Sequence, residues 1–161
     1  MHSSLKPLET ILVLNTRLIK NAVDEIDDEL AEKRISQNTN SIKFLLCHIV
    51  DARFFLAGIM GLSEICPFKD IFDKVQTIEE FNQYPPMDSL MNSFELITSK
   101  ISVQFSKLDN EAISKQLTNK FPIEDRTVLG GITFLLEHES YHIGQIGFIR
   151  KYFGLNPIKY S

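Results

Sequence analysis

Cysteine is scarce in this chain of 161 residues, which contains only Cys47 and Cys66. A chain of this length buries enough apolar surface to fold without covalent crosslinks, so stability does not call for a disulfide. Free cysteine is also among the most frequently buried side chains. We therefore expect two buried free thiols.

Long uninterrupted apolar segments are also missing. Crossing a bilayer takes about 20 consecutive apolar residues. The most apolar segments are interrupted by charged residues, which are Arg53, Glu137, Glu139 and Arg150. The first ten residues show no apolar stretch typical of a signal peptide. The sequence thus predicts a cytoplasmic protein that does not partner with a membrane.

An excess of basic charge is absent. The chain has 17 lysines and arginines against 21 aspartates and glutamates, which gives a net charge of −4. Binding to nucleic acid without sequence preference requires a basic surface, so we expect no nucleic acid partner. A hydrophobic content of 43% suits a globular fold, and the length suits a single domain over residues 1–161.

Strand patterns are nearly absent, since no apolar alternation is sustained and no hairpin turn is visible. Apolar residues instead recur every three or four positions in four segments. This spacing predicts helices over residues 5–26, 41–61, 88–108 and 126–154. Thr39 and Asn40 are candidate caps for the second helix. Gly154, followed by Pro157, is a typical stop for the fourth.

Four long helices predict an all-α fold, a four-helix bundle. The connection between the second and third helices, residues 62–87, is too long for a tight turn and long enough to cross the bundle. We therefore expect an up-down-down-up arrangement in which these two helices run parallel.

Three of the four histidines lie in predicted helices. His138 and His142 are one turn apart on the fourth helix, a spacing that puts both on one face, and His48 is on the second helix. Helical wheels place all three on the apolar side. A single buried histidine is usually satisfied by hydrogen bonds, but one metal ion would satisfy a nitrogen on all three rings. The pattern predicts a divalent metal site formed by His48, His138 and His142.

Residues 138–142 also match the His-Glu-x-x-His pattern of metalloproteases, with Glu139 as the general base. The zinc peptidases with this motif take their third ligand downstream, and no histidine, aspartate or glutamate follows His142. The third ligand must therefore lie upstream, where His48 is the best candidate. Peptidase activity is disfavoured.

Three histidines leave coordination positions open, which is typical of a catalytic metal site. Imidazoles suit zinc, nickel, copper and iron, so the pattern does not select one element. Two carboxylates are candidate catalytic residues. Glu139, at the edge of the apolar face, can act as a base, support a ligand or be solvated, and Asp51 can orient a ligand, complete the coordination or be a surface carboxylate. Cys47 points away from His48 and is not expected to bind the metal.

Glycines and apolar residues outside the histidine cluster suggest a space for a substrate and a contact with a second copy of the chain. Gly131 lies two turns before His138 on the same face, where its missing side chain can leave space for a substrate. The outer side of the second helix is apolar, and Gly144 and Gly147 permit close approach of another helix. These features predict a homodimer, although residues 62–87 can cover the apolar side instead. The residues of that apolar side are Leu46, Val50, Phe54, Ala57 and Met60.

The segments SIKFLLCHIVDARFF and HESYHIGQIGFIRKYFG resemble the DinB-like superfamily of four-helix bundles, the DNA-damage-inducible and YfiT-like proteins. The second segment looks like the family's His-x-x-x-His-x-Gly-Gln signature. By this match the three histidines correspond to the family's metal ligands. Ile143 departs from the arginine that relatives often carry there, which weakens any inference of an anionic group nearby. The flanking matches are Gly144, Gln145, Arg150 and Gly154.

The resemblance implies a divalent metal, with zinc or nickel foremost, and frequent dimers. It also implies an activity for some members, which are transferases or isomerases that depend on a low-molecular-weight thiol. We therefore expect a metal-dependent S-transferase with a small-molecule substrate. The alternatives are a hydrolase that uses metal-bound water, with Glu139 or Asp51 as base, and a non-enzymatic module that binds a metal or a small molecule.

Overall fold

A computed structural model describes residues 2–74, 83–119 and 121–160 of the chain. The regular secondary structure of these residues is helical, apart from one isolated bridge between Gln116 and Thr127, and turns and loops join the helices. The predicted all-α class is therefore confirmed. Four long helices carry the core: α1 (Lys6–Val23), α3 (Ile42–Ile59), α5 (Met87–Phe105) and α7 (Val128–Tyr152). Three short helices join them: α2 (Asp28–Glu32), α4 (Lys69–Phe72) and α6 (Asn110–Ser114).

The ends of the long helices follow local chemistry. Pro7 occupies the first turn of α1, where a missing N–H is harmless. Ser41 caps α3 because its hydroxyl accepts from the Phe44 N–H, so the cap lies one residue beyond the predicted Thr39 and Asn40. Thr127 caps α7 through the Gly130 N–H. Gly154, with φ of 78°, follows the end of α7 as the sequence predicts.

The short helices were not predicted from the sequence. Asp27 and Asp109 cap α2 and α6 by accepting the N–H of Leu30 and Ala112 respectively. Helices of four or five residues are too short to show a repeated apolar period. The caps are the local signal for α2 and α6, whereas α4 has no side-chain cap.

Each long helix contacts two others along its length. α1 lies against α5 and α7, and α3 lies against the same two helices. Hydrogen bonds join Asn15 to the Leu136 carbonyl and Arg150 to the Ala22 carbonyl, so residue numbers rise together along α1 and α7. They also rise together along α3 and α5, where Arg53 reaches Thr98 and the carbonyl following α3 at Met60 accepts from Gln104. These pairings agree with the predicted parallel second and third long helices. Part of the predicted crossover, residues 75–82, lies outside the described residues.

The outer apolar face of α3 does not form the predicted dimer surface. Its five residues are buried within the protomer, because α2 and α4 cover α3 in addition to α5 and α7. Since α4 lies within residues 62–87, the alternative that this connection covers the face agrees with the structure. A helical wheel gives the direction of a side chain but not the elements that pack over it. The residues are Leu46, Val50, Phe54, Ala57 and Met60.

Two glycines of α7, Gly131 and Gly147, have surroundings that differ from the prediction, whereas Gly144 has no neighbouring atom within 4 Å of an added Cβ. A Cβ at Gly131 would lie 2.8 Å from Leu117 Cδ1 and 2.9 Å from Ile59 Cδ1, so the position is filled by neighbouring side chains and leaves no space for a substrate. A Cβ at Gly147 would lie 3.1 Å from Ile158 Cδ1. The C-terminal segment of the same chain therefore occupies the approach at Gly147.

No helix in the described ranges combines the length and the apolar character needed to span a bilayer.

Candidate metal centre

α3 and α7 bring the three predicted histidines together. The Nε2 atom of His138 lies 3.0 Å from Nε2 of His142 and 3.4 Å from Nε2 of His48. One ring nitrogen from each histidine lies within 4.8 Å of the other two. The helical spacing of four residues supplies the first pair, whereas the antiparallel packing of α3 on α7 supplies the third ring. The cluster therefore joins residues 90 positions apart in the sequence.

The exposure of the rings corrects one expectation. His142 is buried and His138 is half-buried, but His48 is exposed rather than facing the core. The wheel of α3 placed His48 among apolar residues, yet the site lies at an edge of the α3 and α7 interface. One side of the cluster is therefore open to solvent.

A hydrogen bond fixes the orientation of His142. Its Nδ1 atom lies 2.6 Å from Oε1 of Gln145, three residues later on α7. An amide oxygen only accepts, so Nδ1 carries the proton and Nε2 presents its lone pair to the cluster. The amide nitrogen of Gln145 in turn lies 3.3 Å from the Tyr141 hydroxyl. A hydrogen bond from the ring nitrogen that does not face the ion, here Nδ1, is typical of a histidine that binds a metal.

His138 is held by stacking. The Phe134 ring lies parallel to it, with centroids 5.6 Å apart and planes inclined by 19°. Its Nδ1 atom is buried and has no hydrogen-bond partner among the described residues. Stacking therefore sets the plane of the ring, and Nε2 is the nitrogen that faces the other two histidines.

The electrostatics of the cluster favour neutral imidazoles. Loss of hydration around the ring, with smaller contributions from His142 and His138, lowers the pKa of His48 to about 4. Although the residue as a whole is exposed, its Nε2 side is enclosed by the other rings. Burial also lowers the pKa of His138 and His142 below the ordinary value. At neutral pH all three rings therefore carry free lone pairs.

The residues fit a divalent metal ion. Metal to nitrogen bonds of about 2.0–2.1 Å place two ligands of one ion roughly 3.0–3.4 Å apart. The separations of 3.0 and 3.4 Å from His138 to the other two rings lie at these limits, and all three nitrogens lie within 4.8 Å of one another. The donors are three neutral nitrogens, a set that zinc, nickel, copper and iron accept. This group can therefore bind a metal ion, and the geometry does not identify the element.

Comparison with known protein families identifies a family that includes this part of the chain. The family model of the DinB superfamily matches residues 11–146, which include all three histidines and Gln145. The chain belongs to the DinB superfamily. A search of curated proteins finds no match to it. The family shown here supports the fold and is compatible with the metal site, whereas the reaction does not follow from the fold.

In this DinB superfamily member Glu139 lies beside the histidines in sequence but does not join their cluster. Its carboxylate forms a two-pronged ion pair with Arg53 of α3, in which Oε1 accepts from Nη2 at 2.6 Å and Oε2 accepts from Nε. Both side chains are buried. The structure thus places Glu139 in the bundle core, held by an arginine on another helix.

Asp51 lies elsewhere on α3. It is half-buried and lines a cavity of about 660 Å³, together with Phe55, Cys66 and Lys69. Burial raises the pKa of its carboxyl group, and Lys69 opposes this shift. None of the three histidines lines that cavity. A catalytic role for Asp51 or Glu139 stays a prediction.

The cysteines behave as expected for structural thiols. Cys47 and Cys66 are both free and buried, which confirms the prediction. Burial raises the pKa of Cys47 to about 12 and also raises the pKa of Cys66. Neither thiol belongs to the histidine cluster.

Arg53 is the residue that the sequence did not assign to the site. A charged side chain in the middle of the apolar segment FLLCHIVDARFFLAG was the available signal, because a buried charge needs a partner. Its partner lies 86 residues away, which no local pattern reveals.

Proposed function

We propose that the chain binds one divalent metal ion through Nε2 of His48, His138 and His142. The convergence of three neutral ring nitrogens from two packed helices carries this proposal. Zinc and nickel are the foremost candidates, because imidazole ligands suit both and because DinB superfamily members bind such ions. Elemental analysis of the purified protein tests it, with about one ion per chain as the expected result. Less than one ion per ten chains after incubation with zinc and with nickel would contradict it.

We further infer an enzyme that activates a small thiol, an S-transferase. A divalent ion with an open coordination position lowers the pKa of a thiol that reaches it. The exposed side of His48 provides an approach from solvent. The two protein thiols are buried and have raised pKa values, so the nucleophile must come from outside the chain. The residues therefore have three tasks: the histidines hold the ion, Gln145 orients His142, and the protein thiols stay out of the reaction.

A thermal-shift experiment tests the thiol. The metal-loaded and the chelated protein are each screened against a series of low-molecular-weight thiols and their S-methylated analogues. We expect a rise in melting temperature with a thiol only in the metal-loaded protein, and none with the analogue. Equal shifts before and after chelation would contradict the proposal. His48→Ala should lose the thiol effect along with the metal.

A metal-dependent hydrolase is the second candidate, in which the open position on the ion would hold water. Asp51 is its candidate base, although this residue lines a cavity that none of the three histidines lines. Glu139 is less available for this role, because both of its oxygens accept from Arg53. Ester hydrolysis that requires metal and falls at least tenfold in Asp51→Asn would support this candidate. Metal binding with neither activity would leave a binding module.

The homodimer stays a prediction, and its surface must differ from the one first expected. The apolar side of α3 is covered within the protomer, whereas three exposed aromatic residues, Tyr141, Phe148 and Tyr152, lie along α7. We propose this aromatic face as the contact between two copies. Light scattering should give twice the protomer mass of 18.5 kDa, and Phe148→Glu should yield the protomer. A parent protein that is monomeric at micromolar concentration would contradict it.

A further inference from the structure

Arg53 occupies the centre of the bundle and contacts all three of the other long helices. Its guanidinium pairs with Glu139 of α7, and it donates to the hydroxyl oxygens of Thr98 in α5 and Thr16 in α1, each at 3.3 Å. The ring of Phe94, also in α5, lies 4.9 Å from its Cζ atom. Arg53 is only 1% exposed and Glu139 only 3%. Each charge is thus enclosed by partners from other helices.

This ion pair lies close to the metal ligands on both helices that supply them. Arg53 follows His48 by five residues on α3, about 7.5 Å along the helix axis. Glu139 directly follows His138 on α7 and precedes His142 by three residues, about 4.5 Å. The pair therefore joins α3 to α7 within two helical turns of all three histidines.

An ion pair of this form is directional, whereas apolar packing is not. A two-pronged pair between a guanidinium and a carboxylate fixes both distance and orientation. Apolar side chains tolerate sliding and repacking with little loss of stability. Metal coordination needs ligand distances correct to about 0.2 Å, while a shift of one residue along a helix moves a ligand by about 1.5 Å. Helix register therefore limits whether His48 reaches the pair on α7.

We propose that Arg53 and Glu139 are positioning residues for the metal centre: their ion pair sets the register of α3 against α7 at which the three imidazoles converge. This inference rests on the proposed metal binding. It assigns to Glu139 a role in site geometry that does not require contact with substrate. The pair acts through the backbone of the two helices and not through a bond to the ion.

The test replaces the pair by apolar residues. In Arg53→Met with Glu139→Met, both charges are removed together, a change that is often neutral for stability in a buried pair. The matched control is Lys43→Met. Lys43 is also buried on α3, precedes His48 by five residues, and pairs with Asp28 and Glu32 of α2 rather than with α7.

Two measurements on the folded proteins separate positioning from stability. Competition with a chelator gives the affinity for zinc, and the visible spectrum of the cobalt-loaded protein reports coordination geometry. We expect the double variant to bind zinc at least tenfold more weakly than the parent and to show a changed cobalt spectrum. The control should stay within twofold of the parent and keep its spectrum, whatever happens to its melting temperature.

The possible failures are distinguishable. A folded double variant with parental zinc affinity and an unchanged cobalt spectrum would overturn the positioning role while leaving metal binding intact. Equal losses in the double variant and in Lys43→Met would also overturn it, because general destabilisation would then explain both. If the double variant does not fold, Arg53→Lys keeps the charge but loses the two-pronged geometry, and parental affinity and spectrum in that variant would reject the role. A parent protein that binds no metal would reject both proposals.

Discussion

Replacing His48 by alanine removes the single ligand that α3 supplies and leaves the pair on α7 in place. His138 and His142 keep their 3.0 Å separation through helical spacing, and Gln145 still orients His142. His48 is exposed, and its one polar contact with another helix among the described residues is with Nε2 of His138. The change should therefore affect metal binding much more than folding.

The magnitude follows from the number of ligands. Structural zinc sites with four ligands bind with about 10–16 kcal/mol at pH 7, or about 2.5–4 kcal/mol per ligand. Each 1.4 kcal/mol is about tenfold in affinity, so one lost ligand corresponds to roughly 100-fold to 1000-fold. The exposed side of His48 lets water replace the missing nitrogen. We therefore expect a loss near the lower limit, about 100-fold.

Competition between the protein and a coloured chelator measures this loss, and circular dichroism checks that the variant is folded. His2→Ala is the matched control, because His2 lies at the N-terminus, where its ring accepts from the Ser4 N–H outside the cluster. The control should bind zinc as the parent does. The increase in melting temperature that zinc gives to the parent should be strongly reduced in His48→Ala. Zinc affinity within twofold of the parent would refute a site shared between α3 and α7.

Three further predictions concern the surroundings of the site. Gln145→Leu removes the acceptor at Nδ1 of His142 and should weaken zinc binding about tenfold. Gln145→Glu keeps an acceptor and should bind zinc better than the leucine variant, and equal zinc affinities of the two variants would contradict a role for this hydrogen bond. The histidines of the unfolded chain become protonated below about pH 6.5. In the folded metal-free protein their pKa values are lower, about 4 for His48, so these rings become protonated only at lower pH. The free energy of unfolding, measured by urea titration, should therefore fall from pH 6.5 towards pH 4, and it should fall less steeply in His48→Ala. Equal pH dependence in the two proteins would argue against a neutral His48 ring in the folded state. Because Cys47 and Cys66 are buried, a thiol reagent should label them slowly in native protein and fast in urea, and fast native labelling would contradict their assignment.

Local sequence was sufficient for features that depend on one helix at a time. A period of three or four residues located the four long helices, and their ends differ from the predicted ones by a few residues. The spacing of His138 and His142 placed two ring nitrogens side by side because the α-helix has a fixed pitch. The structure also groups His48 with this pair, as the sequence predicted from the small number of histidines in the chain, whereas its role as a ligand stays a prediction.

Features that depend on packing between helices were decided by the tertiary structure. No local pattern identifies Glu139 on α7 as the partner of Arg53 on α3, since the pairing depends on how the two helices are aligned. The wheel of α3 predicted a buried His48, which the structure shows exposed. It also predicted an outer apolar side at Leu46 and Val50 for a second copy or residues 62–87 to cover, and in the structure this side is buried within the protomer. Periodicity gives angles around a helix axis, but burial depends on which elements cover each side. Here the short α2 and α4 cover α3, and too few residues form them to leave a periodic signal in the sequence.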